Sequence, residues 1–251
     1  MSGHSKWSTI KRKKGATDAK RGQLFTRITR ELMIAAREGG GDPETNVGLR
    51  LAVDKARAAN MPKDNIERAI RRGTGEDKDA NAFEESTFEG YAANGVALII
   101  DVVTDNRNRA VADLRHVLNK HGGSLGEGGS VAWQFTRTAF FVLPVDTAEF
   151  DEIFELGVEA GADDVVEAEG YFEITAPVES YKAISDALSA RGLRPEDAGL
   201  RMVPNHEIEL DPATTVKVMR TIETLEDLDD VQNVYSNLAI SEEALHQLEM
   251  A

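Results

Sequence analysis

The spacing of apolar residues changes along the chain, and the change divides it. From Asp18 to Arg37, Leu24, Ile28, Leu32 and Ala35 or Ala36 recur at three- and four-residue intervals, and Gly39-Gly40-Gly41 ends the run. That pattern predicts an amphipathic helix. Asp42-Pro43 reads as an N-cap followed by proline at the first helical position, opening a second helix that runs to about Ala59. A third begins near Asn60 to Pro62 and ends with Arg71, Arg72 and Gly73. These three make a small helical domain, and the Gly- and Asp-rich stretch Gly73 to Asn81 is predicted to be a hinge.

Beyond the hinge the period drops to two. Ser86 to Ala92 and Val96 to Thr104 read as strands joined at Asn94-Gly95, a dipeptide that supplies the two positive φ angles of a tight hairpin. A capped helix follows from Asn106 to His121, then a short strand from Val131 to Phe135. Next comes a self-contained alternation: strand Phe140 to Leu143, helix Thr147 to Ala160, strands Asp164 to Val166 and Tyr171 to Ala176, helix Val178 to Ala190 and strand Gly199 to Val203. That is the β-α-β-β-α-β order of a ferredoxin-like module. A helix from Pro212 to about Asp227 and a strand from Val231 to Ser236 would complete a second unit of similar make-up around it. The expected fold is α+β with three domains: residues 1–78, a basic helical domain with an N-terminal arm; 79–136 plus 205–251, a discontinuous α/β domain; and 137–204, a ferredoxin-like domain inserted into the second.

Composition narrows the chemistry. No cysteine occurs in the 251 residues, which excludes disulfides, thiolate zinc sites and thiol catalysis. Met1 to Gly15 is polar and basic, and no stretch approaches the roughly 20 apolar residues of a membrane helix, so a soluble cytoplasmic protein is expected. The charge is unevenly distributed. Ten Lys or Arg stand against two acidic residues in the first 37 positions, and residues 1–75 carry net +9 within a chain of net -15. The rest, 76–251, therefore carries net -24. A chain so divided attracts a polyanion at one end and repels it at the other, which points to nucleic acid as the partner.

The candidate binding residues follow from that division. Lys11, Arg12, Lys13 and Lys14 are adjacent cations that repel one another when free but can each find a phosphate on a nucleic acid, with Lys6 and Trp7 before them and Lys20 and Arg21 after. Trp7 could stack on a base or pack on the first helix. Lys20, Arg27, Arg30 and Arg37 fall within roughly 100° of one another on the first helical wheel, beside the apolar stripe. A second candidate patch comprises Arg68, Arg71 and Arg72 at the end of the third helix, and Arg107 and Arg109 in the first turn of the fourth. The first three suit a helix C-terminus, whereas the last two oppose the helix dipole, which hints at a phosphate contact. The loop Gly122 to Ser130 lacks the Gly-Lys-Ser/Thr ending of a Walker motif and leads into a strand, so a flexible turn is expected. No catalytic residue, metal-ligand set or cofactor motif emerges: His116 and His121 are off a common helix face, and Ser86, Ser124 and Ser130 lack an identifiable triad.

Four strings carry a resemblance: SGHSKWSTIKRKKGATDAKRGQLFTRI at the start, then NMPKDNIERAIRRGTG, YAANGVALIIDVVTDNRNRA and GGSLGEGGSVAWQF. In this order they resemble the YebC/PmpR family over the whole length. The resemblance implies a helical N-terminal domain and two α/β domains, the third inserted in the second. It also implies a DNA-binding transcriptional regulator, while the family's mitochondrial relatives act as translational activators. The expectation is therefore a non-enzymatic regulator whose partner is DNA, with ribosomal RNA and the ribosome as the alternative, and with no small-molecule substrate.

Overall fold

The computed structural model describes residues 18–76, 83–168 and 170–249, which leaves most of the expected hinge outside the described residues. They form three N-terminal helices followed by sheet-and-helix domains, and they group into two compact units: residues 1–30, 81–136 and 203–251 in one, 31–80 and 137–202 in the other.

Helix α1 (Asp18–Gly39) buries Ile28, Leu32, Met33, Ile34 and Ala36, and stops where Gly40 takes a φ of +85°. Leu24 is 40 % exposed, so the closely packed part of the expected stripe begins at Ile28. Helix α2 (Val47–Ala58) starts later than Asp42-Pro43 predicts, because Asp42 closes a turn instead, accepting from the Glu44 and Asn46 amides through its side chain and carbonyl. The cap is Asn46. Its side-chain oxygen accepts from the Leu49 amide at 3.0 Å while its amide nitrogen donates to the carbonyls of Ala35 and Gly40 at 2.7 and 2.8 Å. One short side chain thus satisfies orphan groups at two helix ends.

Helix α3 (Lys63–Gly73) is closed by Gly75 at φ +79°, with the Glu76 amide returning to the Arg71 carbonyl at 3.1 Å. Gly73 therefore lies inside the helix and is glycine for another reason. A Cβ there would meet the Met33 carbonyl at 2.4 Å and the Ala36 Cβ at 2.7 Å, so it lets α3 approach α1 closely.

The same unit holds the inserted module: β4 (Phe135–Pro144), α5 (Phe150–Glu159), β5 (Asp164–Ala168), β6 (Tyr171–Pro177), α6 (Tyr181–Ala190) and β7 (Asp197–Pro204), with strand order β5-β6-β4-β7. The predicted strands Val131–Phe135 and Phe140–Leu143 are resolved differently, as a 3-10 turn Ala132–Gln134 leading into the single ten-residue β4. The module's core gathers Phe141, Ile153, Leu156, Phe172, Ile174 and Ile184, and the Tyr181 ring stacks on Phe141 at 4.9 Å. Burial pushes the Tyr181 hydroxyl pKa up. Arg50 of α2 belongs to this unit as well, its guanidinium held by Asp186 at 2.8 Å and Glu44 at 2.7 Å.

The other unit is built on β1 (Glu84–Tyr91) and β2 (Ala97–Thr104), joined as predicted: Asn94 and Gly95 take φ of 62° and 76°, and the Ala92 amide donates to the Val96 carbonyl at 2.8 Å. Helix α4 (Arg107–Lys120) leads to the two-residue β3 (Ser124–Leu125), and after the insertion β8 (Ile208–Glu209), α7 (Pro212–Glu226), β9 (Val231–Ser236), β10 (Leu238–Ala239) and α8 (Glu242–Glu249) follow. The sheet order β3-β1-β2-β9 parallels that of the inserted module, with β1 standing where β6 stands. The two sheets are therefore one arrangement in which a strand has moved to the front of the sequence. Helices α4, α7 and α8 bury Leu114, Leu118, Val218, Met219, Ile222, Leu225 and Leu245 with Leu98, Ile100 and Val102 of β2.

Replacing Gly73 by alanine should destabilise the protein by about 1–3 kcal/mol, as overpacking between helix backbones does. Denaturant unfolding of Gly73→Ala beside Gly128→Ala checks it, because a Cβ at Gly128 meets nothing within 4 Å and its backbone is not in the left-handed region.

Candidate nucleic-acid interface

Lys6, Trp7, Lys11, Arg12, Lys13 and Lys14 lie outside the described residues, as do the side chains of Lys20 and Arg21 on the first turns of α1. The remaining cations of α1 are placed. Arg27 donates to the Glu226 carbonyl at the end of α7, and Arg30 donates to the Asp229 carbonyl and faces the Asp230 carboxylate at 3.4 Å, with its guanidinium 5.2 Å from the centre of the Phe83 ring. The last carbonyls of a helix lack intrahelical partners and carry partial negative charge, so cations settle there. Two residues of the expected basic face thus serve the fold, while Arg37 at its far end is exposed.

The second candidate patch divides between the compact units. Arg68, Arg71 and Arg72 are exposed on α3, while Arg107 and Arg109 open α4 in the other unit. Arg107 lies 5.5 Å over the Phe88 ring. Arg109 has a different occupation: its guanidinium meets Asp230 at 2.7 Å, Asp105 at 3.0 Å and the Thr104 hydroxyl at 3.4 Å. Those hydrogen bonds, that to Asp230 foremost, raise the arginine's pKa further. Its place in the first turn, unfavourable against the helix dipole, is explained by this carboxylate pair.

Asp230 collects these contacts. Its side chain is only 10 % exposed, its Oδ2 accepts from Arg109 and from the Thr104 hydroxyl at 2.9 Å, its Oδ1 faces Arg30, and its carbonyl accepts the Val103 amide at 2.8 Å. α1, the β2–α4 junction and the start of β9 therefore meet at one carboxylate.

A feature at the opposite end of β1 escaped the sequence reading. Far from a flexible turn, the Gly122 to Ser130 loop is pinned by Glu89, whose carboxylate accepts the backbone amides of Gly129, Val131 and Ala132 at 2.6, 2.7 and 2.8 Å. Burial raises the Glu89 pKa, but the three amide donors outweigh it and hold the carboxyl below its ordinary value. The 3-10 turn that follows presents Trp133 with 71 % of the residue exposed. Nothing in the sequence marks it: Glu89 alternates with buried Phe88 and Gly90 in a strand, the ordinary place of an outward-facing acidic residue. Its partner lies some 40 residues on.

Among the described residues no group of three or more His, Cys, Asp or Glu is arranged to hold a metal ion, and no helix is long and apolar enough to cross a membrane.

Fold and charge together define a class: an α+β protein of helical N-terminal domain and two α/β domains, one inserted in the other, with a basic start and an acidic remainder. Two family models match it: the TACO1/YebC protein N-terminal domain over residues 5–76, and the TACO1/YebC second and third domain over residues 83–238. The chain belongs to the TACO1/YebC family. It is 50 % identical over 248 residues to a "Probable transcriptional regulatory protein" of Rubrobacter xylanophilus, covering 99 % of both chains. It is 52 % identical over 250 residues to one of Acidithiobacillus ferrooxidans, again covering 99 % of both. The crystal structure of a conserved hypothetical protein from Aquifex aeolicus superposes with a TM-score of 0.82 at 41 % identity, covering 91 % of this chain and 94 % of that one.

Two outcomes follow from these contacts. Asp230→Asn should cost about 2–4 kcal/mol, since it leaves two arginines and a hydroxyl short of their anion, while Arg109→Ala should cost less, because its exposed side chain is screened by water; chemical denaturation of both variants checks the ranking. For Glu89 the folded pKa lies below the unfolded one, so its contribution is complete above the usual value of 4.5 and is lost as pH falls below it. Amide exchange at Gly129, Val131 and Ala132, corrected for intrinsic rates, should therefore quicken on acidification through that range, and Glu89→Gln should abolish the pH dependence.

Proposed function

We propose that this chain is a non-enzymatic, nucleic-acid-binding regulator of transcription that grips the phosphates of DNA through its basic N-terminal residues. The carrying observation is the charge division, net +9 over residues 1–75 against net -24 over the rest. The naming of its relatives as transcriptional regulatory proteins supports the same reading. In this reading Lys6, Lys11, Arg12, Lys13, Lys14, Lys20, Arg21 and Arg37 contact phosphates and Trp7 contacts a base, and the exposed Arg68, Arg71 and Arg72 of one compact unit and Arg107 of the other are each further candidates for phosphate contact. Arg27, Arg30 and Arg109 act behind them, as supports spanning α1, α4 and the α7–β9 junction. The division into residues 1–78, 79–136 plus 205–251, and 137–204, and residence in the cytoplasm, belong to the same proposal.

Phosphate-led binding of this kind is steeply salt-dependent, because each contact releases condensed counter-ions. Changing Lys11, Arg12, Lys13 and Lys14 together to alanine should leave the fold intact and lower the slope of log affinity against log salt by roughly 0.9 per contact, about 3.6 for all four on duplex DNA. An unchanged slope would remove the arm from the interface. Competition at physiological salt among promoter fragments, random duplex and purified ribosomal subunits identifies the target: a promoter preference of about a thousandfold or more supports the transcriptional role. Capture by the subunits alone would replace DNA with ribosomal RNA.

A further inference from the structure

Trp133 is large, apolar and open, in a place the fold has made rigid. Its indole Nε1 donates to the Ser130 carbonyl at 3.2 Å, which sets the ring's orientation, and the Tyr91 hydroxyl donates to the same carbonyl at 3.1 Å. Its own carbonyl accepts from the Asn205 side-chain amide at 3.2 Å. On the other side Glu89 holds the amides of Gly129, Val131 and Ala132, so that carboxylate's charge is directed into the loop's own backbone. The ring is therefore pre-positioned with a face left to solvent.

The surroundings select the ligand. Besides Trp133, only Leu24 among the described residues of this compact unit is a large apolar side chain with comparable exposure. The loop neighbours are polar or small: Glu127, Gly128, Gly129 and Ala132 are exposed, and Ser130 and Gln134 partly so. A protein interface would extend the apolar surface around its aromatic anchor. A lone fixed π face with a polar rim instead matches a planar heterocycle, whose phosphates are left to the basic residues of the proposed interface.

We propose that Trp133 is a stacking platform for an unpaired nucleobase, so that the nucleic acid bound by this chain presents a single-stranded stretch beside its duplex. The inference rests on the nucleic-acid reading above and adds to it a second, aromatic point of contact outside the basic arm. The Nε1 bond to the Ser130 carbonyl, on a backbone pinned by Glu89 and Asn205, reduces the rotational freedom that an exposed tryptophan would otherwise lose on binding.

The test uses the full chain, a blunt 20-base-pair duplex and the same duplex with a five-nucleotide 3′ overhang. One stacked base is worth a factor of about 5 to about 150 in affinity, so the overhang duplex should bind tighter by that range and quench tryptophan emission. Trp133→Ala should bring the overhang duplex back to the affinity of the blunt one while leaving blunt binding unchanged. Trp133→Phe should keep most of the preference and lose the part of the quench that depends on the overhang, leaving only the quench from Trp7, equal on both duplexes. Equal affinity for the two duplexes, or equal loss on both in Trp133→Ala, overturns the platform and leaves arm-mediated binding standing. If neither duplex binds, the nucleic-acid reading falls and the platform with it. A self-associating chain that Trp133→Ala turns monomeric in sedimentation would assign the ring to a protein contact instead.

Discussion

The Asp230 carboxylate is the constraint on which one of the two compact units depends. Taking a carboxylate out of water costs several kcal/mol unless charged and neutral donors replace the lost hydration. Here the donors arrive from three separate places: Arg30 on α1, Thr104 at the end of β2, and Arg109 in the first turn of α4. None of these elements adjoins Asp230 in sequence; Arg109 is 121 residues away. The carboxylate can be satisfied only when the elements have met, so it rewards the assembled arrangement over any partial one. The Val103 amide donating to the Asp230 carbonyl, next to the register shift between Asp101 and Val102, fixes where β9 joins β2.

The same network alters how the basic face of α1 is understood. A helical wheel places Arg27 and Arg30 beside Arg37 as though all were offered to a ligand, yet Arg27 and Arg30 turn to the carbonyl end of α7 and to Asp230. The wheel thus overstates the basic face that α1 offers by the two arginines that hold the fold. With net -24 in residues 76–251, the acidic remainder repels a nucleic acid where the two come within roughly 8 Å, the distance beyond which salt screens exposed charges. Charge of this kind gives orientation and rate more than sequence reading.

What the sequence revealed and concealed divides by range. The Asn94-Gly95 hairpin, the cap at Asn106, the helix start at Pro212 and the strand-helix alternation of the inserted module were legible because each is decided within a few residues. Other features were missed or misplaced because their causes lie elsewhere. β3, β8 and β10 have two residues each, too few to show a period. Helix α8 is eight residues long, too short for its Ser241 cap and acidic first turn to stand out against the loops around it. The start of α2 moved because Asn46 could serve α1 as well as α2. Arg109 read as a ligand-binding oddity only while Asp230 was unknown. Of the candidate interface, the excess of charge was legible, but which arginines are spent on the fold was not, since the partners of Arg27 and Arg30 lie 199 residues away.

The transposed strand explains where the insertion is found. In the inserted module the edge strand β5 turns straight into β6, so nothing can enter there without breaking a hairpin. In the other sheet the equivalent inner place is already filled by β1, supplied from ahead of β2, and the chain leaving β3 has no neighbour to join. It is free to run outward and return. The departing and returning segments are then stapled together: Thr136 donates to the Asn205 side chain at 2.7 Å, the Asn205 amide donates to the Gln134 carbonyl at 2.7 Å, and Asn237 bonds both the Gln134 side chain and the Ala97 amide. Trp133 stands directly before these residues and shares Asn205 with them. The stiffness that lets an exposed indole hold one orientation is thus a by-product of closing the sheet around an inserted domain, and the aromatic face comes without further structural cost to the fold.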